Sequence, residues 1–341
     1  MKSEAYFLHK AGEPESAFDL RQFELPEAQS TQVIVEVEAF GLNYADVMAV
    51  KGLYRGAPPM PCVIGYESVG KVVEVGSKED EHLIGKRVLA FSRFGSYARH
   101  VLTQNYAVVE VEDQPAYELL ALCTQGVTAY YMSMYQSVVH KGDKVLIHAA
   151  AGGVGTLLIQ LCKLRGAEVV AKVGHESKET IVKELGADHV VNYRSNVYED
   201  DVRSTLGGKL DFSFNPAAGS TFKKDMALLG PGGKIVLFGA SEFGAGKWGI
   251  LSKLNFVRTM GKFRPIQLMM KTKSMLTVNM LEIADNRPEI MEECLRQVVA
   301  LYLDGKLKVI EGGSYSSDQL VDAHKALAEG KTKGKLVVHW S

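Results

Sequence analysis

The sequence predicts an α/β protein: a doubly wound parallel sheet, preceded by a smaller β-rich barrel or sandwich. Three observations predict it. From about Glu118 onward, short apolar runs alternate with amphipathic stretches. A glycine cluster, HAAAGGVGTLLIQ (His148–Gln160), sits where one such run meets the next helical stretch. The first third of the chain instead carries closely spaced β-branched runs with no long helix between them.

In order along the chain, TQVIVEVEAFG (Thr31–Gly41) alternates apolar and polar residues, and ESVGKVVEVG, GKRVLAF and YARHVL are short strands punctuated by glycine. KVLIHAA, from Lys144, reads as a buried strand. GTLLIQLCKLRG then places Leu157, Leu158, Leu161, Cys162 and Leu164 on one helical face. AEVVAKV is strand, SKETIVKELG helix, DHVVNY strand and GKIVLFG strand, which is the alternation of a parallel sheet. The tail, GKLKVIEGGSYSSDQLVDAHKALAEGKTKGKLVVHW, reads strand, helix, strand.

The glycine cluster has the context of a dinucleotide loop, strand then glycines then amphipathic helix, although its register is Ala150-x-Gly152-x-x-Gly155 with an extra Gly153. Gly152 and Gly153 let the backbone approach a pyrophosphate, whose charge would rest on the free N–H groups and positive end of the helix. Gly155 lets that helix lie against the strand, and the first glycine of the fingerprint only eases the turn, so alanine is tolerated there. The second strand ends in Lys172, Val173 and Gly174, with Lys178 beyond, where an NAD site wants Asp or Glu for the ribose 2′-hydroxyl. A cation and a small residue leave charge and room for a 2′-phosphate, which predicts NADP(H).

The bulk properties exclude other classes. A formal net charge of −1 gives no electrostatic case for nucleic acid. The opening MKSEAYFLHKAGE has no apolar segment of a secretory signal, no apolar run is long enough to span a bilayer, and the 4 cysteines form no CxxC pair. These features predict a cytoplasmic protein with free thiols. No Ser/His/Asp set and no P-loop point to a hydrolase or kinase.

The stretches FGLNYADV, VIGYESVGKVVEVG, GVTAYY, AAAGGVGTLLIQLCK, LGADHVVNY and GKIVLFG occur in the order found in medium-chain dehydrogenase/reductases. The chain resembles their zinc-independent quinone oxidoreductase branch, and its C-terminal third is similar to the vesicle amine transport protein subgroup. The resemblance implies a GroES-like β-barrel from residues 1–121 and 297–341, a Rossmann NADP-binding domain over 122–296, and an active site in the cleft between them. It further implies that Asn43 and Thr128 contact the nicotinamide end. Ala151, Gly152, Gly153 and Val154 would hold the pyrophosphate, and Gly174, Lys178 and Tyr193 the 2′-phosphate. Phe238, Gly239 and Ser241 would line the nicotinamide, and Lys335 would close over it.

Zinc-dependent relatives place cysteine where this chain has Asn43 and histidine where it has Tyr66, so that only Cys123 matches a ligand position; one cysteine with Glu67 makes no closed set. No metal is therefore expected. Without a Lewis acid, hydride is expected to pass from NADPH to an acceptor that is already electron-poor, a quinone or an α,β-unsaturated carbonyl, with Asn43, Tyr44 and Tyr66 as candidate hydrogen-bond or proton donors. An enoyl-thioester reductase and a nucleotide-binding interaction protein with little turnover are the alternatives.

From Phe243 to Leu281 there is no acidic residue, while Lys247, Lys253, Arg258, Lys262, Arg264, Lys271 and Lys273 are interleaved with apolar residues. A helical flap with a solvated basic face is the expectation, and contact with acidic lipid or a partner is the sharper alternative. A homodimer by edge pairing through GGKIVLFGA is expected from the family likeness, and a monomeric mass in solution would refute it.

Overall fold

A computed structural model of the chain describes residues 1–193, 198–244, 250–261, 265–330 and 332–340; the side chains of 244 and 250–254 are outside that description. Its strands are β1 (Lys2–Leu8), β2 (Phe18–Glu24), β3 (Gln32–Leu42), β4 (Cys62–Val63), β5 (Glu67–Val75), β6 (Arg87–Phe91), β7 (His100–Gln104) and β8 (Val108–Glu110). They continue as β9 (Lys144–Ile147), β10 (Glu168–Val173), β11 (His189–Asn192), β12 (Leu210–Asn215), β13 (Leu229–Leu237), β14 (Ser274–Thr277), β15 (Glu311–Ser316) and β16 (Lys335–His339).

The chain forms two compact units. The first comprises Met1–Val127, Met280–Gly305 and Val309–Ser341, the second Thr128–Asn279 with Lys306–Lys308. The divisions thus fall near 127 and 279 instead of the expected 121 and 296, because the helix Pro288–Leu303 packs with the first unit.

In the first unit a seven-stranded sheet runs β15-β16-β3-β5-β6-β8, with β7 also paired to β3, and a three-stranded sheet runs β2-β1-β4. β3 is the spine. The alternation that TQVIVEVEAFG predicts holds over Val35–Glu38, with Val35 and Val37 buried and Glu36 and Glu38 outward, while Val33–Val35 and Ala39–Leu42 are covered on both faces. Gly70 sits where β5 presses on β3: a side chain there would collide with the Glu36 carbonyl, its Cβ only 1.9 Å from that oxygen.

The second unit is a six-stranded, wholly parallel sheet in the order β11-β10-β9-β12-β13-β14, the 3-2-1-4-5-6 order of a doubly wound nucleotide fold. Val145, Leu146, Ile147, Val169, Val170 and Ala171 are fully buried, as a sheet covered on both faces requires. Two sequence expectations change here. GGKIVLFGA is not an edge, since β13 is flanked by β12 and β14, and the outer strand on that side is β14, Ser274–Thr277. Leu164 is exposed instead of sharing the buried face of the helix Gly153–Leu164, which ends at that residue.

Of the cationic segment, Lys247, Trp248, Lys262, Phe263 and Arg264 lie outside the described residues, as do the side chains of Ile250, Leu251, Lys253 and Leu254. The rest forms helices over Ile250–Met260 and Pro265–Lys271, and Ser274–Thr277 is β14. Phe256 and Met260 pack on the core beneath, while Val257, Ile266, Met269 and Met270 are exposed. Among the described residues no helix is long and apolar enough to cross a membrane.

Candidate active site

The nucleotide-loop residues gather at the carboxyl edge of the second unit's sheet, where such folds bind ligands. β9 ends at Ile147, and Ala149 turns the chain with a left-handed φ of 49°. Gly152 then caps the helix Gly153–Leu164 without any side-chain cap bond, which leaves the N–H groups of its first turn for an anion. Gly155 fills the packing role its position predicts, since a Cβ there would stand 2.5 Å from the Ala149 carbonyl and 2.7 Å from the Ala150 Cα. Ala151 and Val154 flank the same turn.

At the end of β10, Gly174 lies against the Tyr193 hydroxyl, which would be 2.4 Å from a Cβ at that position. Tyr193 follows β11 and is half-exposed, and Lys178 begins the next helical turn, its N–H bonded to His175 O at 3.0 Å. Phe238, Gly239 and Ser241 follow β13 at the same sheet edge, with the Ser241 N–H donating to Pro216 O at 3.1 Å. Thr128 belongs to this unit too, on the helix Val127–Tyr130.

Lys172 differs from its expected role. Its side chain is buried, with the ammonium 3.5 Å from the Tyr198 ring centroid and 3.3 Å from His148 Nδ1, so its charge is spent inside the unit and not on solvent-side room for a phosphate. Burial lowers its pKa to about 8. Behind it, buried Asp225 accepts from Ser213 Oγ (2.8 Å), Asn215 Nδ2 (2.6 Å) and the Tyr198 hydroxyl (2.8 Å), and its Oδ2 stands 2.9 Å from His148 Nε2. Burial would raise this carboxyl, but His148 and these donors outweigh it and hold the group below its ordinary range. The sequence carried no signal for this network, whose members lie on β12, two helices and two strand ends.

In the first unit Asn43 precedes the helix Tyr44–Val50, and the Asn43 N–H donates to Asp46 Oδ2 at 2.8 Å, closing half of a capping box. The Asn43 side chain donates from Nδ2 to Glu67 Oε1 at 2.8 Å, and Glu67 Oε2 accepts the Thr124 N–H at 2.7 Å. Lys335, expected over the nicotinamide, is fully buried, and its ammonium donates to Glu67 Oε1, to Asn43 Oδ1 and to the Leu42 carbonyl, which uses its three N–H groups. Asn43 is thus an oriented amide: its Nδ2 faces an anion and its Oδ1 a cation. Gly41 is required beside them, because a Cβ there would come within 2.4 Å of both Glu67 Oε1 and Lys335 Cε.

Tyr44 is partly buried, and burial pushes its phenol up. Tyr66 is buried with a hydroxyl that makes no well-formed hydrogen bond, its polar neighbour being Tyr54, and burial together with the Asp46 charge pushes its phenol far above the ordinary range. Tyr66 therefore keeps its proton, so its hydroxyl can offer a hydrogen bond but carries no charge. Asp46 is fully buried and its carboxyl is raised from 3.8 to about 7, chiefly by desolvation and further by Glu67. The folded state then holds a proton that the unfolded chain releases between about pH 4 and 7, so this group's contribution to stability falls as pH rises through that window. Asp46→Asn, which keeps the acceptor for the Asn43 N–H, is expected to match the unaltered protein near pH 4 and to be more stable by on the order of a few kcal/mol at pH 7–8, the gain growing through that window. Parallel thermal melts across that range would read the gain.

Residues 29–144 match the family described as alcohol dehydrogenase GroES-like domain, and residues 153–296 match the zinc-binding dehydrogenase family. The chain belongs to the medium-chain dehydrogenase/reductase superfamily. Within that superfamily it is 30% identical to the zebrafish (Danio rerio) synaptic vesicle membrane protein VAT-1 homolog over 320 residues, covering 92% of this chain and 65% of the relative's length. A mycobacterial protein complexed with NADPH superposes with a TM-score of 0.85 at 25% identity, covering 99% of each chain. The Escherichia coli quinone oxidoreductase complexed with NADPH superposes with a TM-score of 0.85 at 24% identity, over 98% of this chain and 99% of that one. These likenesses establish a Rossmann sheet joined to a GroES-like unit.

The superfamily also contains zinc enzymes, and the residues here do not fit that metal. Cys123 is fully buried with its thiol pushed up by desolvation, and Glu67 already carries the Lys335 ammonium, which would repel a dication from the same carboxylate. Among the described residues no three His, Cys, Asp or Glu side chains cluster as a metal site.

Proposed function

We propose that this chain is an NADPH-dependent reductase that delivers hydride to quinones or α,β-unsaturated carbonyls without a metal. The observation that carries this reading is the end of β10, where Gly174 replaces the acid that would hold a ribose 2′-hydroxyl and has the Tyr193 hydroxyl beside it, with Lys178 in the following turn. In this reading the N–H groups after Gly152 hold the pyrophosphate, while Lys178 and Tyr193 hold the 2′-phosphate. When bound, the nicotinamide supplies hydride. The acceptor must delocalise the incoming charge itself, since Asn43 and Tyr66 offer it hydrogen bonds and no Lewis acid.

The test is loss of NADPH absorbance with an ortho-quinone, a 2-alkenal, an enoyl thioester and a simple aldehyde, with NADH as control. Turnover of conjugated acceptors with NADPH preferred supports the reading; turnover of the thioester alone moves it to enoyl-thioester reduction. Tight NADPH binding with no turnover of any acceptor moves it to a nucleotide-binding interaction protein. Lys178→Ala is expected to weaken NADPH binding by ~1–3 kcal/mol and leave NADH unchanged, as for a charge-assisted hydrogen bond to phosphate. Fluorescence titration with both nucleotides reads the difference, and equal losses would remove Lys178 from the phosphate.

A further inference from the structure

We propose that Lys172 is a positioning residue for nucleotide choice: its buried ammonium holds the Tyr193 ring over Gly174 and so sets a preference for NADPH over NADH. This role rests on the NADPH reading, in which the Tyr193 hydroxyl holds the 2′-phosphate. Tyr193 is held at three places. Its N–H donates to Val173 O at 3.0 Å, its ring edge and hydroxyl lie over Gly174, and its ring centroid is 5.4 Å from the Lys172 ammonium. Glycine at 174 admits the ring, since a Cβ there would stand 2.4 Å from the hydroxyl oxygen and 2.6 Å from Cζ. A half-exposed tyrosine is otherwise free to change rotamer, and a desolvated cation within about 6 Å of its ring favours one placement. The Lys172 carbonyl accepts the Ala150 N–H at 3.1 Å, so the backbone here is fixed beside the glycine turn whatever the side chain does.

The ammonium is itself anchored, 3.5 Å from the Tyr198 ring centroid and 3.3 Å from His148 Nδ1. Burial lowers the His148 pKa and keeps the imidazole neutral. With its hydrogen on Nε2, His148 turns that hydrogen to Asp225 Oδ2, 2.9 Å away, and its Nδ1 lone pair to Lys172. The Asp225 carboxylate thus offsets the lysine charge through the ring between them. The groups facing Lys172 are His148 after β9, Tyr193 after β11, Tyr198 and Glu199 on the helix Tyr198–Leu206, Lys224 and Asp225 on the helix Gly219–Leu228, and Glu242 on Ser241–Gly244. Lys224 is paired with Glu199 at 3.1 Å. Burial brings Lys172 down to about 8, so the cation that holds Tyr193 is present below that pH and is lost as pH rises through it.

Lys172→Met removes the charge and keeps an unbranched side chain. Asp225 retains Ser213, Asn215, Tyr198 and His148, so no buried carboxylate is left without donors.

Fluorescence titration with NADPH and NADH tests the role. At pH 7, Lys172→Met is expected to raise the NADPH Kd about tenfold and the NADH Kd less than about twofold. With Tyr193→Ala already in place, adding Lys172→Met should change the NADPH Kd less than about twofold, because the ring through which the lysine acts is gone. In the unaltered protein the ratio of NADH Kd to NADPH Kd should fall severalfold from about pH 7 to about pH 9, a range in which a phosphate monoester is already doubly ionised, and in Lys172→Met it should stay flat. Equal losses for both nucleotides in Lys172→Met, additive effects of the two substitutions, or the same pH slope with and without Lys172 would each overturn the role. A flat profile in the unaltered protein would overturn it with no variant needed. An unaltered protein that binds NADPH no better than NADH removes the NADPH reading and this role with it, whereas a preference for NADPH that Lys172→Met leaves intact removes this role alone.

Discussion

Gly174→Asp is expected to invert the nucleotide preference. A carboxylate at the end of β10 would accept from a ribose 2′-hydroxyl and stand against a 2′-phosphate, and like charges brought together in a binding site cost several kcal/mol. NADPH affinity should therefore fall on the order of 100-fold while NADH affinity holds or rises. The steric part can be separated from the charge. Any side chain at this position meets the Tyr193 hydroxyl, 2.4 Å from the Cβ position, and Tyr193 is half-exposed. Gly174→Ala supplies that contact without charge. If Gly174→Ala and Gly174→Asp weaken both nucleotides equally, the end of β10 does not read the 2′ position.

The second large effect is expected at Lys335→Met. Glu67 is fully buried, and its anion is held by the Lys335 ammonium, the Asn43 amide and the Thr124 N–H. Removing the cation leaves a buried carboxylate with two neutral donors, and breaking such a pair from one side costs about 3–5 kcal/mol. A fall in the melting temperature of about 10 °C is expected for a unit of this size. Adding Glu67→Gln to Lys335→Met removes the orphaned charge; the glutamine oxygen accepts the Thr124 N–H and its NH2 donates to the Asn43 amide once that amide turns over, Lys335 no longer holding its Oδ1, so the double variant should recover most of the loss. A single variant as stable as the unaltered protein would show that the ion pair contributes nothing to the first unit.

The pair also explains why part of this site could not be read from the chain. Lys335 and Glu67 are 268 residues apart and meet only because β16 pairs with β3 and β3 with β5. In sequence Lys335 was placed over the nicotinamide by the family likeness, and nothing near it in the chain points to Glu67. Lys172 was read as charge for a 2′-phosphate, and its burial was hidden for the same reason: its neighbours His148 and Tyr198, with Asp225 behind them, come from three other elements. Asp46 was within reach, since Asn43-x-x-Asp46 has the spacing of a capping box, but its burial was not.

The sequence alone determined whatever depends on local pattern. Apolar runs interrupted by amphipathic helices specified the parallel sheet, and the glycines specified where a helix must lie close to a strand and where backbone N–H groups are left free. The absence of an acid at Gly174 needed no structure to be noticed. Tertiary structure alone decided which charges are spent internally, because desolvation and pairing depend on what the other strands bring near. It also decided which strand is the edge, since β13 was hidden as an interior strand until the short segment Ser274–Thr277 paired beside it. Residue spacing encodes backbone geometry directly, whereas the environment of a buried charge is a property of the assembled sheet.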